Sequence, residues 1–148
     1  MASPTRQQLQ DWAKNYVALW NAGDREGWAR NWRSVAPGDF RMLDPVGTPE
    51  KRGFELCALE SWDLFQARVK FRILDGTLFI CGSEVAWVLE NQITADGKTA
   101  AALSIETYRF ADDGVVPNNE VLPLVVYRGA LADSADRAAA CERMFAQN

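Results

Sequence analysis

The sequence predicts an α+β fold in which three N-terminal helices pack on a curved, mostly antiparallel β-sheet, with an extra helix at the C-terminal end. Three observations predict it. Apolar residues recur at helical spacing between Leu9 and Phe65, the period drops to two from Val69 onward, and the later strands are separated by Asp-Gly turns that suit hairpins. Helices first and strands afterwards is the order in which helices cover one face of an antiparallel sheet.

In the first helix Leu9, Trp12, Ala13, Tyr16, Val17 and Trp20 share one face. Thr5 with Gln8 has the form of a capping box, and Gly23 suits the left-handed position that ends a helix. Asp24 caps a second helix from Arg25 to about Trp32, with Trp28 and Trp32 four apart on its buried face. Pro37-Gly38-Asp39 breaks the chain, and Phe40, Met42 and Asp44 alternate with Arg41 and Leu43 in a brief strand.

After the turn from Asp44 to Pro49, a third helix carries Phe54, Cys57, Ala58, Ser61 and Phe65 on one face, with Trp62 and Leu64 at its margin. Val69, Phe71 and Ile73 then alternate with Arg68, Lys70 and Arg72, and Asp75-Gly76 is expected to reverse the chain into a hairpin with Thr77 to Cys81. Glu84 to Ile93 and Thr99 to Phe110 are longer strands joined at Asp96-Gly97, and another strand follows Asp112-Asp113-Gly114. Ala138, Cys141 and Phe145 line one side of an alanine-rich tail, so residues 1–148 are expected to form one domain and residues 130–148 a helical extension.

A chain of 148 residues buries one proper core and is short for two. The net charge is −4 and the 16 basic residues are scattered rather than striped, which sets nucleic acid aside as a partner. No apolar run approaches the roughly 18 residues that a membrane span needs. The N-terminus carries no apolar signal core, so the expected location is cytoplasmic, away from membranes. The three cysteines, Cys57, Cys81 and Cys141, lie at wide spacings within apolar patterns and are expected to be reduced core residues. Without a single histidine, imidazole-based triads and the common zinc sites are excluded, and no metal is expected.

Three polar residues stand where an apolar one would be expected. Tyr16, on the apolar face of the first helix, is either an amphipathic core residue or a buried donor aimed into a pocket. Asp44 precedes a proline, where aspartate often initiates a turn, yet it shares a strand face with Phe40 and Met42 and must be desolvated unless that face lines a cavity. Glu106 shares a face with Ala102, Ser104, Tyr108 and Phe110. There it either pairs with Arg41, Arg72 or Arg109, or its pKa rises and it stays a proton donor.

The segment Tyr16 to Asp24, then Asp44-Pro45-Val46-Gly47 with Gly53, then Ile105-Glu106-Thr107-Tyr108-Arg109-Phe110, resembles the ketosteroid isomerases of the NTF2-like, or SnoaL-like, superfamily. The resemblance covers roughly residues 5 to 128 and implies that family's cone-shaped fold. It also implies that Asp44 is a general base, Tyr16 an oxyanion donor, and Glu106 the counterpart of a protonated aspartate that serves as the second donor. Two carboxyl groups, one charged and one neutral, then move a proton between the carbons of an enone without a cofactor. Four departures accompany it: Glu106 is one methylene longer than the family's aspartate, the loop between Trp32 and Asp44 is about four residues longer, a tyrosine that supports the oxyanion network in some members falls on Ser61 or Trp62, and the tail beyond Gly129 has no counterpart.

The expected activity is a cofactor-free isomerase, or a related lyase or cyclase, acting on a small apolar carbonyl compound of steroid or polyketide size. The competing expectation is an NTF2-like domain that binds such a ligand without turning it over. Phe40, Met42, Trp62, Trp87, Leu89, Tyr108 and Phe110 are the expected pocket walls. A homodimer is expected from the resemblance and from the apolar sheet faces.

Overall fold

A computed structural model of the chain describes residues 3–38, 41–44 and 47–110, together with the backbone of Leu124–Arg128. Helix α1 spans Arg6–Ala22 and has both of its expected ends. The Thr5 hydroxyl accepts from the Gln8 amide while the Gln8 side chain accepts from the Thr5 amide, and Gly23 closes the helix at φ +75°. Asp24 caps α2, which runs over Arg25–Val35, one turn beyond the expected end at Trp32, because Val35 still faces the core.

Strand β1 is the short Arg41–Leu43, with Met42 buried and Asp44 just past its end; Phe40 lies outside the described residues. Arg33, near the end of α2, organises the approach to β1. Its Nη1 donates to the carbonyls of Pro37 at 3.1 Å and Gly38 at 2.7 Å, and its guanidinium lies 3.7 Å from the centre of the Phe54 ring. Strand β2, Lys51–Arg52, was not expected; it pairs antiparallel with β1.

The third helix begins as a π-turn over Glu55–Leu59 and continues as α3, Glu60–Phe65. The wider turn rotates the face that follows it. Trp62, expected at the margin, is therefore buried, while Ser61 and Phe65 are half-buried.

Strands β3 (Val69–Ile73), β4 (Phe79–Cys81), β5 (Glu84–Ala95), β6 (Lys98–Arg109) and β7 (Leu124–Arg128) complete a sheet in the order β2-β1-β7-β6-β5-β3, with β4 also on β5. All pairings among the described residues are antiparallel except β1 with β7. The expected β3–β4 hairpin is not formed. Both strands run antiparallel to β5, from Val69 opposite Ile93 and from Phe79 opposite Ala86, so Asp75-Gly76 kinks the chain without reversing it. The Asp96-Gly97 hairpin is as expected, with both residues at positive φ, +52° and +73°, as a type I′ turn requires.

The helices cover the inner face of the sheet. Trp12, Trp20, Trp28, Trp32, Trp62 and Trp87 are all buried there, joined by Tyr16, Met42, Leu89, Tyr108 and Phe110. Asn21 fastens α1 to the sheet edge: its side chain accepts from the Phe71 amide at 2.9 Å and donates to the Phe71 carbonyl at 2.8 Å, which occupies outward-facing backbone groups of β3. Cys57 is buried, whereas Cys81, expected in the core, is exposed on the outward side of β4. Cys141 and the expected C-terminal helix lie outside the described residues. Among the described residues, no helix is long and apolar enough to cross a membrane.

Candidate functional site

The inward face of the β5–β6 hairpin carries the polar groups that matter. Glu106 and Tyr108 on β6, and Phe110 just past its end, alternate with their side chains turned to the core, as their period-two spacing expects, and all three are buried. The register of the hairpin places Trp87 directly opposite Glu106. The Trp87 indole N–H donates to Glu106 Oε2 at 2.8 Å, and the Tyr108 hydroxyl donates to the same oxygen. Tyr108 is also hydrogen-bonded to Tyr16, which α1 presents from the opposite wall. The polar chain therefore runs from Tyr16 through Tyr108 to Glu106, with Trp87 closing its far end.

Charge is sparse around this chain. The three arginines that could have neutralised Glu106 are paired elsewhere: Arg41 with Glu50 at 3.3 Å, Arg72 with Glu90 at 2.7 Å and Arg109 with Glu84 at 2.7 Å. Burial pushes the Glu106 carboxyl up to about 7; the Tyr108 and Trp87 hydrogen bonds pull it down, and the charge of Asp44 pushes it up again. Asp44, half-buried at the end of β1, is raised to about 6, mainly by burial and against the pull of the Lys51 ammonium. Tyr108 is held well above the usual tyrosine range by burial, by Glu106 and by Tyr16. Asp44 and Glu106 lie near enough for the charge of one to act on the other, so β1 and β6 bring both carboxyls to one region of the core.

Of the expected wall residues, Trp87 and Tyr108 are part of the polar chain itself, while Met42, Leu89 and Phe110 are buried apolar neighbours in the same core. Trp12 links them, with its ring centre 5.0 Å from Tyr108 and 5.2 Å from both Trp87 and Phe110. Trp62 is one ring further away, packed on Trp20 at 5.0 Å and Trp28 at 5.3 Å; Trp28 in turn touches Tyr16 at 5.6 Å. The hydrogen-bonding roles of Trp87 and Tyr108 were missed in the sequence reading, although signals for both existed. Tyr108 stands two residues from Glu106 on the same strand face. Counting outward from the two-residue turn at Asp96-Gly97 pairs Trp87 with Glu106.

No protein-family model matches the sequence, and no curated protein matches it. Solved structures do match in fold. A Δ5-3-ketosteroid isomerase from Mycobacterium sp. is similar over 88% of this chain and 95% of its own, at 22% identity and a TM-score of 0.56. RV0760c from Mycobacterium tuberculosis, in complex with estradiol-17beta-hemisuccinate, is similar over 88% and 96%, at 18% identity and a TM-score of 0.58. SalBIII, an epoxide hydrolase/cyclase-like enzyme of pyran ring formation in the polyether salinomycin, is similar over 86% and 95%, at 15% identity and a TM-score of 0.66. The architecture of helices on a curved, mostly antiparallel sheet is thus the NTF2-like fold that these proteins share.

Proposed function

We propose that the chain is a cofactor-free isomerase that shifts a carbon–carbon double bond into conjugation with a carbonyl in a small, apolar, steroid- or polyketide-like substrate. The observation that carries this reading is that the end of β1 and the inner face of β6 bring two carboxyls within reach of each other's charge, the half-buried Asp44 raised to about 6 and the buried Glu106 to about 7, with Glu106 hydrogen-bonded to Tyr108 and Tyr108 to Tyr16. Between those two values the one proton that the pair holds sits on Glu106 and leaves Asp44 charged. That is the division of labour the reaction needs.

Asp44 removes a proton from the carbon between the carbonyl and the double bond. The resulting dienolate oxygen takes hydrogen bonds from Tyr16 and Glu106, and Asp44 returns the proton at the far end of the conjugated system. Nothing is gained or lost overall. Two further donors support a polar guest. The indole N–H groups of Trp12 and Trp28 are buried without a hydrogen-bond partner among the described residues, which costs each about 1–3 kcal/mol until an acceptor arrives. Both rings touch Tyr16.

Binding without turnover is the second reading, and the close packing around Tyr16 favours it. Trp12, Trp28, Trp32, Phe71 and Trp87 all place their ring centres within 5.9 Å of the Tyr16 ring. The experiment that separates the two adds a β,γ-unsaturated ketosteroid and follows formation of the conjugated enone. The isomerase reading expects turnover by the wild type and a loss of about a hundredfold or more in Asp44→Asn, since general-base catalysis typically contributes 10²–10⁴-fold. Tight binding of a phenolic steroid such as estradiol with no enone formed would favour the second reading.

A further inference from the structure

We propose that Tyr108 and Trp87 are positioning residues that occupy Oε2 of Glu106 from two sides and so make Oε1 the oxygen that carries the acid proton and faces the ligand. The inference deepens the isomerase reading and rests on it for the identity of the ligand, while the geometry it uses is independent of any reaction.

An indole N–H can only donate, so the 2.8 Å contact from Trp87 defines Oε2 as an acceptor. Tyr108 donates to the same atom, and a carbonyl-type oxygen with two lone pairs is then fully used. A proton taken up by Glu106 therefore belongs on Oε1. The arrangement also answers two of the departures from the isomerase pattern. The tyrosine whose place falls on Ser61 or Trp62 has a substitute in Tyr108, which reaches the network from β6 instead of the third helix. The longer glutamate is held by Trp87, its neighbour across the strands, and the two grips remove the freedom that the extra methylene adds.

Among the described residues, the titratable groups that act on this carboxyl are Asp44, just past the end of β1, and Tyr108 of β6, with Tyr16 of α1 joined to it through Tyr108. Arg72 and Arg109 are turned away on salt bridges of their own. Both grips stabilise the charged form of Glu106, so losing either one should make the carboxyl harder to ionise.

The test follows the carboxyl carbon of Glu106 by ¹³C NMR across pH, with the signal assigned by its absence in Glu106→Gln, in the ligand-free wild type, Tyr108→Phe and Trp87→Phe. Each single variant is expected to raise the Glu106 pKa by about one unit, the size of one charge-assisted hydrogen bond. A fall in Tyr108→Phe would show that Glu106 donates to Tyr108, with the proton on Oε2, and would overturn the proposal. So would an unchanged titration in both variants. Should Trp87→Phe not fold, Tyr108→Phe alone still decides, because the sign of its shift separates the two proton positions. The readout needs no substrate. If the pKa rises as expected while the ketosteroid assay shows no turnover, the positioning roles stand and the isomerase reading fails.

Discussion

Glu106 is buried with no cation beside it among the described residues, and its proton affinity has a consequence for stability that does not depend on any substrate. Below about pH 4.5 the acid is neutral in the folded and unfolded chain alike; between about 4.5 and 7 the unfolded chain releases its proton while the folded chain keeps it. Stability therefore falls as pH rises through that window, by on the order of 3 kcal/mol from this one group. Glu106→Gln cannot ionise. Thermal melts should show the variant gaining on the wild type as pH climbs from about 5 to 8, whereas parallel pH dependences would mean that the Glu106 carboxyl is not held neutral. At this scale the sequence alone made the positions of Tyr16, Asp44 and Glu106 legible, because period and motif place a side chain on a face. What Glu106 touches was harder to read. Its partners depend on the register of a neighbouring strand and on the bond that Tyr108 makes across the core to α1.

The clearest elements are those whose ends are written in local chemistry. Thr5 with Gln8, Gly23, Asp24 and the Asp96-Gly97 turn each satisfy or reverse backbone within a few residues, and the structure places them as the sequence reading expected. The failures share a different cause. Asp75-Gly76 specifies a bend but not which strand lies alongside, and β5 is long enough to take both β3 and β4 on one edge. The π-turn inserts one extra residue into the helical period, so extrapolating the face from Cys57 put Ser61 inside and Trp62 at the margin. Asn21 offers a test of how elements are joined. Asn21→Ala removes both of its hydrogen bonds to Phe71 and should lower stability by roughly 1–2 kcal/mol in urea titrations, with α1 otherwise intact. A loss well below that would mean that the edge of β3 needs no fastening.

At the scale of the whole molecule the sheet has two different faces. The inner one holds the aromatic core and the polar chain, while the outer one presents Ala86, Val88, Leu103 and Ile105 with Phe79, 62% exposed, at its β4 margin. A second copy of the chain is the proposed occupant of that outer face. Phe79→Glu should then shift the mass measured by light scattering from dimer to monomer, and an unchanged mass would place the contact elsewhere.

On the inner face of the sheet, the proposed reaction requires one carboxyl to be charged while its neighbour is neutral. Because Asp44 and Glu106 act on each other, the values near 6 and 7 belong to the pair. The most direct measurement is therefore kcat/KM for isomerisation of a β,γ-unsaturated ketosteroid across pH. The account predicts a bell that rises through about 6 as Asp44 ionises and falls beyond about 7 as Glu106 loses its proton. Asp44→Asn should remove most of the rate, and Glu106→Gln should abolish the alkaline fall. A rate that ignores pH across this range, or an Asp44→Asn variant as active as the wild type, would contradict the account.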